Sequence, residues 1–302
     1  MTGFTLAAAQ YPIDAFTSFA EWEDKQHRWA AEAKQAGASL LLYPEYAPME
    51  LTSIDARARD DLSWSLHWMA DQRERIDAVH ATLAAEFGVH ICAGSCPTRR
   101  VDGDFANVAR LFAPNGQRGE QAKQVMTRFE REEWHVAGND GQLSLFVTAL
   151  GPIGIAICYD VEFPLIARAL VEAGAKLILT PSATDSHHGY WRVRVGAQAR
   201  ALENQCYVAQ APTVGDAPWC ASLDINRGAA GVFGPSDMGF PADGVVALGR
   251  MDAAQWLFTE IDLSLVDAVR SGGAVFNHRH WAEQPGAPPF LAPVNRIDLS
   301  AG

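Results

Sequence analysis

The sequence predicts an α/β fold, and three observations carry that expectation. Short apolar runs of the kind buried strands need alternate along the chain with segments of helical apolar spacing. Glycine and proline punctuate the joins between them. The chain has 302 residues, 48% hydrophobic and 20% charged, enough to bury a large core without disulfides or metal.

Phe4 to Ala9 is a first short apolar run and reads as a buried strand. From Ser18 to Ala36, Phe19, Trp22, Trp29 and Ala33 recur at helical spacing, and Gly37 ends that helix. Ser39 to Tyr43 is a continuous apolar strand stopped by Pro44. A long helical pattern, roughly Asp60 to Phe87, ends at Gly88 and leads into a strand from His90 to Ala93. Asn107 to Phe112 is the next strand, followed by Pro114-Asn115-Gly116, a hairpin signal. After a polar, charged loop come strands at Leu143 to Thr148 and Ile153 to Cys158, with Gly151-Pro152 as the turn between them.

The second half repeats the alternation. Pro164 to Ala173 and Gly189 to Asn204 read as helices, and Leu177 to Leu179 and Tyr207 to Gln210 as strands. Strands follow at Val232-Phe233, Val245 to Leu248 and Leu257 to Ile261, then a helix from Leu263 to Arg270. The tail from Asn277, with Pro285, Pro288, Pro289 and Pro293, is expected to be extended. With no Gly/Ser-rich linker, low-complexity block or internal repeat, a single domain over 1–302 with a tail from about 277 is the expected organisation.

Net charge is −12, and no basic run is present. Such a chain is poorly suited to a phosphate backbone or an anionic membrane, so nucleic acid and membrane are not expected partners. No stretch approaches ~18 uninterrupted apolar residues. The N-terminus lacks a basic n-region and reads as a strand, not a signal peptide. Five scattered cysteines, at 92, 96, 158, 206 and 220, are not a disulfide framework and fit a reducing compartment. The expected location is the cytoplasm.

Three segments place a reactive side chain where an apolar strand stops: Glu45 in LLLYPEY, Lys123 in QAKQVMTRFEREEW and Cys158 in GIAICYDVEFP. Strand ends are where α/β proteins aim reactive groups into a common crevice. Taken singly, Glu45 reads as a solvated turn carboxylate, Lys123 as a surface charge and Cys158 as an inert buried thiol. Those readings together need three independent coincidences.

The three segments, with PSAT and ARALENQCYV further on, resemble the nitrilase (carbon–nitrogen hydrolase) superfamily from the first strand to about Ile261. The resemblance implies a four-layer α-β-β-α sandwich of two stacked mixed sheets, and pairing of copies through helices near the cysteine. It implies Cys158 as nucleophile, Glu45 as base and Lys123 as oxyanion stabiliser with the backbone N–H of Tyr159. A second glutamate after the lysine positions the amide in amidase members. Here Glu130 and Glu133 both stand in that loop, with a slight preference for Glu130. No metal or organic cofactor is expected. The chemistry agrees: amide hydrolysis needs a nucleophile, a proton shuttle and a stabiliser of negative charge.

Authentic nitrilases typically carry Cys-Trp-Glu at the nucleophile, whereas this chain has Cys158-Tyr159-Asp160, which favours a small-amide hydrolase. A carbamoyl-amine hydrolase and a nitrilase are the alternatives, and a catalytically silent binding protein of the same fold is a distant one. Several family members acting on acidic substrates carry Arg in a stretch like CYDxRFP; here Glu162 stands in that place. His187 and His188 follow PSAT, and Trp191 opens the next helix. Surface roles are their default, with His187 and Trp191 retained as candidate substrate contacts. Cys92 and Cys96 form C-x₃-C without a second ligand pair and read as core, as does Cys206.

Overall fold

The computed structural model describes residues 3–138 and 141–300; the ends of the expected domain, 1–2 and 301–302, lie outside the described residues. Its α/β architecture rests on two mixed ladders. In the first, the strands run in the order Gln255–Ile261, Phe4–Pro12, Ala38–Leu42, His90–Arg99, Phe105–Phe112 and Arg118–Ala122. The inner pairs among Phe4–Pro12, Ala38–Leu42 and His90–Arg99 are parallel, and the outer ones antiparallel. In the second, the order is Val294–Asp298, Leu143–Thr148, Gly151–Ile155, Leu177–Ser182 and Tyr207–Asp216. Gly231–Phe233 and Val245–Leu248 continue it. The ladders join where Tyr11 and Pro12 pair with Thr213 and Val214.

Alternation along each strand sorts its side chains between two cores. Leu6, Ala8, Leu40, Leu42 and Leu111 share one apolar cluster with Ile153, Ile155, Leu177, Leu179 and Val208 of the second ladder. At Gly119 a Cβ would lie 2.5 Å from the Phe146 ring, so the ladders meet closely there. The intervening residues Ala7, Ala9, Leu41 and Ile91 turn the other way. They pack with Phe19, Trp22, Ala30 and Ala33 of the helix Phe19–Gln35 and with Leu66, Met69, Ile76 and Leu83 of the helix Leu62–Phe87. The second ladder packs against the helices Pro164–Glu172 and His187–Asn204 through Ala167, Leu170, Val193 and Ala197. Among the described residues no helix is long and apolar enough to cross a membrane.

Several expected elements differ from those observed. The strand expected over Ile153 to Cys158 stops at Ile155, because Cys158 has a left-handed backbone (φ 47°) and opens a 3-10 turn, Cys158–Glu162. The expected long helix is present as Leu62–Phe87, its N-terminus capped by Asp61 accepting from the Trp64 N–H, and a short helix that was not expected, Ala56–Asp60, precedes it. The charged loop before Lys123 contains the strand Arg118–Ala122, hydrogen-bonded to Phe105–Phe112 in the hairpin that Asn115-Gly116 signals. The tail is not extended throughout; it forms the turn Arg279–Glu283 and the strand Val294–Asp298, parallel to Leu143–Thr148.

Candidate active site

Each reactive side chain stands just past the end of a strand, and each is held there by local backbone chemistry. After Ala38–Leu42 the chain turns at Pro44, and Tyr46 adopts a left-handed conformation (φ 57°). The neighbouring strand bends close against this turn at Gly94 (φ 70°), where a Cβ would fall 1.9 Å from the Pro44 carbonyl oxygen. Only glycine fits that contact. The Ser95 hydroxyl accepts from the Tyr46 N–H at 3.3 Å, which helps fix Glu45 just past the end of an inner strand. Lys123 directly follows Arg118–Ala122, and its N–H still donates to the Asn107 carbonyl at 2.8 Å.

These segments converge on one polar cluster. The Lys123 ammonium donates to Glu45 Oε1 at 2.7 Å and to Glu130 Oε2 at 2.6 Å. Lys123, Glu45, Glu130 and Cys158 are each 3% exposed or less. Asn107 Nδ2 donates to Glu45 at 2.9 Å and to Glu130 at 3.4 Å, and the Ala183 N–H donates to the other Glu45 oxygen at 3.0 Å. Glu130 also accepts from the Tyr46 hydroxyl at 2.8 Å and from the N–H and hydroxyl of Thr127 at 2.9 Å. The Cys158 thiol donates to the Ala183 carbonyl at 3.6 Å and interacts with Glu45.

The two carboxylates titrate in opposite directions, and their partners explain it. Burial raises Glu45 above its ordinary range, although Lys123 pulls it down, and the Glu130 charge pushes it further up. Burial also acts on Glu130, but Lys123, Thr127 and Tyr46 outweigh it and hold that carboxyl low. Lys123 is raised despite its burial, because two carboxylates and the thiol surround it. Burial and the Glu45 charge push the Cys158 thiol well up, while Lys123 opposes them. The cluster therefore sets a thiol that holds its proton more tightly than usual beside a carboxyl that binds a proton more readily than usual. Such a pair can exchange a proton between sulfur and carboxylate.

Asp160 ties two of these segments together. Its buried carboxylate accepts from the N–H groups of Gln124 at 3.1 Å and Val125 at 2.8 Å, just after Lys123, and from Ile157 at 3.4 Å, just before Cys158. Burial pushes this carboxyl up to about 7 against the Lys123 charge and those donors.

A cavity of about 360 Å³ opens onto the cluster, lined among others by Glu45, Lys123, Glu130, Cys158, Tyr159 and Trp134. The remaining candidates fall outside it. Glu133 is exposed, because the short helix Arg128–Glu132 turns Glu130 inward and leaves Glu133 past its end. His187 is exposed and paired with Asp252 at 2.8 Å. Trp191 is 48% exposed and lines, with His188, a surface groove that meets the cavity at Glu162 and Arg192. Asn107, Tyr46, Trp134 and Asp160 were not singled out by the sequence. The signal for choosing Glu130 was present in Thr127-Arg128-Phe129-Glu130, a capping box in which Thr127 and Glu130 bind each other's backbone. Among the described residues no group of three or more His, Cys, Asp or Glu could hold a metal ion.

The family model for carbon–nitrogen hydrolases matches residues 5–271. The chain belongs to the carbon–nitrogen hydrolase family. Its relatives include the probable hydrolase YhcX of Bacillus subtilis, 32% identical over 270 residues, covering 89% of this chain and 52% of that protein. The chain thus spans about half the length of that relative. An omega-amidase of Xenopus laevis is 26% identical over 234 residues, 72% of this chain and 76% of its own. Among solved structures, the amidase from Nesterenkonia sp. AN1, with acrylamide added at its active-site cysteine, superposes with a TM-score of 0.67. That pair is 21% identical, over 92% of this carbon–nitrogen hydrolase and 99% of that chain.

Proposed function

We propose that this carbon–nitrogen hydrolase cleaves the C–N bond of a small linear amide through a Cys158 thioester. The observation that carries the reading is the convergence of thiol, basic carboxylate and ammonium in one buried cluster at the floor of a cavity. Cys158 sulfur attacks the amide carbon and its proton passes to Glu45. The two carboxylates take two of the three Lys123 ammonium hydrogens, which among the described residues leaves the third to face the oxyanion with the backbone N–H of Tyr159. Collapse of the tetrahedral species breaks the C–N bond as Glu45 returns the proton to the departing amine or ammonia. Water then attacks the thioester, giving its proton to Glu45, and the acid leaves as the thiol re-forms. Glu130 holds Lys123 in place, and its own donors keep it ionised.

Amidase relatives support the amide over the nitrile or carbamoyl group. The layered cores fit the four-layer α-β-β-α sandwich, and we read the chain as one domain acting in the cytoplasm without a cofactor. We propose that it pairs with a second copy through the helices Pro164–Glu172 and His187–Asn204, where Leu165, Trp191, Val195 and Leu202 are exposed. Ammonia release from a panel of amides, carbamoyl amines and nitriles tests the reaction, with mass spectrometry of the quenched enzyme for an acyl group on Cys158. Turnover without any acyl adduct on that residue, under conditions that trap one in a known amidase, would sink the reading.

A further inference from the structure

We infer that the catalytic cavity selects an amide carrying a positively charged group away from the scissile bond, and that Glu162 is the residue that recognises it. The inference rests on the amide-hydrolase reading above and names the substrate class for that site. Glu162 closes the 3-10 turn that Cys158 opens, so nucleophile and carboxylate are carried by one short element. Its side chain lines the cavity and is only 21% exposed. Among the described residues it accepts no hydrogen bond, and its ion-pair partner, Arg192, stands off at 3.7 Å. Arg192 is itself 63% exposed, so solvent screens much of its charge. Burial accordingly pushes the Glu162 carboxyl up, with Arg192 and Lys123 only partly opposing it.

The rest of the lining adds to the same sign. Asp185 and Asp224, both exposed and so screened like Arg128 and Arg192, join Glu162 on the walls against those two arginines. Arg128 is turned onto Glu132 at 2.7 Å and is 86% exposed. Beneath them, Glu45, Glu130 and Lys123 together carry one further negative charge when ionised. Low-dielectric walls focus such an excess into the cavity. A substrate carboxylate entering here meets like charge on the better-buried wall. An ammonium or guanidinium supplies the donor that Glu162 lacks, in a charge-assisted hydrogen bond.

Three amides of matched length, ending in methyl, carboxylate and ammonium, test this by kcat/KM for ammonia release. The cationic amide is expected to lead the neutral one by roughly tenfold or more and the anionic one by a wider margin, and Glu162→Gln is expected to lower the cationic-to-neutral ratio about tenfold. Protection of Cys158 from iodoacetamide by each amide reports the same order without turnover, and labelling of the unprotected variant shows that its site is intact. Charge-ordered protection without hydrolysis counts against the amide-hydrolase reading and leaves the charge preference standing. Equal or reversed preference in the parent, or a ratio unchanged in Glu162→Gln, overturns the inference.

Discussion

Glu45 and Glu50 leave the same turn of chain, and each meets a buried lysine, yet the two clusters differ in one respect that bears on chemistry. Glu50 is 0% exposed and accepts from Lys25 at 2.7 Å, the Tyr11 hydroxyl at 2.5 Å and the Asp14 N–H at 3.1 Å. Lys25 in turn has three acceptors: Glu50, the Pro12 carbonyl at 2.6 Å and Asp14 at 2.8 Å. Every ammonium hydrogen is taken, and among the described residues no thiol bonds to Glu50 or Lys25; Cys220 reaches the Met49 carbonyl and the Thr52 hydroxyl instead. Among the described residues Lys123 has two acceptors, Glu45 and Glu130, and it faces a cavity and a sulfur. Burial raises both Glu45 and Glu50, so a displaced carboxyl does not separate them. A spare donor and room for a substrate do. One cluster fastens the first strand and first helix to the segment after Glu45, and the other is equipped to move protons.

Four substitutions put that contrast under load. Cys158→Ala should abolish measurable turnover while the far-ultraviolet spectrum stays that of the parent; hydrolysis near the parent rate would end the assignment of the nucleophile. Glu45→Gln keeps the side chain's size but cannot take the thiol proton, and should slow single-turnover acylation by roughly 10²–10⁴-fold. Lys123→Met should cost ~10²–10³-fold, and the losses at 45 and 123 should not add, since both act on one tetrahedral species. Lys123 lowers the thiol's pKa, so its removal should move the alkylation of Cys158 to higher pH. A profile that does not move would separate Lys123 from the sulfur whatever happens to the rate.

Lys25→Met supplies the control on the other side. It leaves a buried carboxylate without its cation and should lower stability by about 3–5 kcal/mol in urea unfolding. Turnover per folded molecule should change no more than a few-fold. A collapse of kcat in this variant would show that the two clusters work as one.

Two of the positions that converge on the polar cluster were legible because strand ends and their flanking prolines are visible in a sequence: Glu45 after SLLLY-Pro44, Cys158 before Pro164. What surrounds them was less so. Asn107 sits inside an apolar strand, and nothing local says that its amide reaches across to two carboxylates. Asp160 was read only as part of a motif, because its partners lie on the lysine segment. The choice between Glu130 and Glu133 depended on the orientation of a five-residue helix, which its capping box decides. His187 and Trp191 begin a helix whose inward face carries Gly189, Tyr190 and Val193 instead, so adjacency to PSAT misled. The final strand escaped notice since Val294–Asp298 is polar and mostly exposed, without the apolar run that marks its neighbours.

That same polarity protects the molecule from its own kind. The family-matched segment stops at 271, and beyond it the chain returns to lay Val294–Asp298 along Leu143–Thr148. The strand so covered reads Leu-Ser-Leu-Phe-Val-Thr and is largely buried; a chain lacking the return would offer its free N–H and C=O groups, backed by leucine and phenylalanine, as a template for other chains. The covering strand shows solvent an asparagine, an arginine and an aspartate. Stray strands find charge there in place of grease, and the rim resists growing into a fibre.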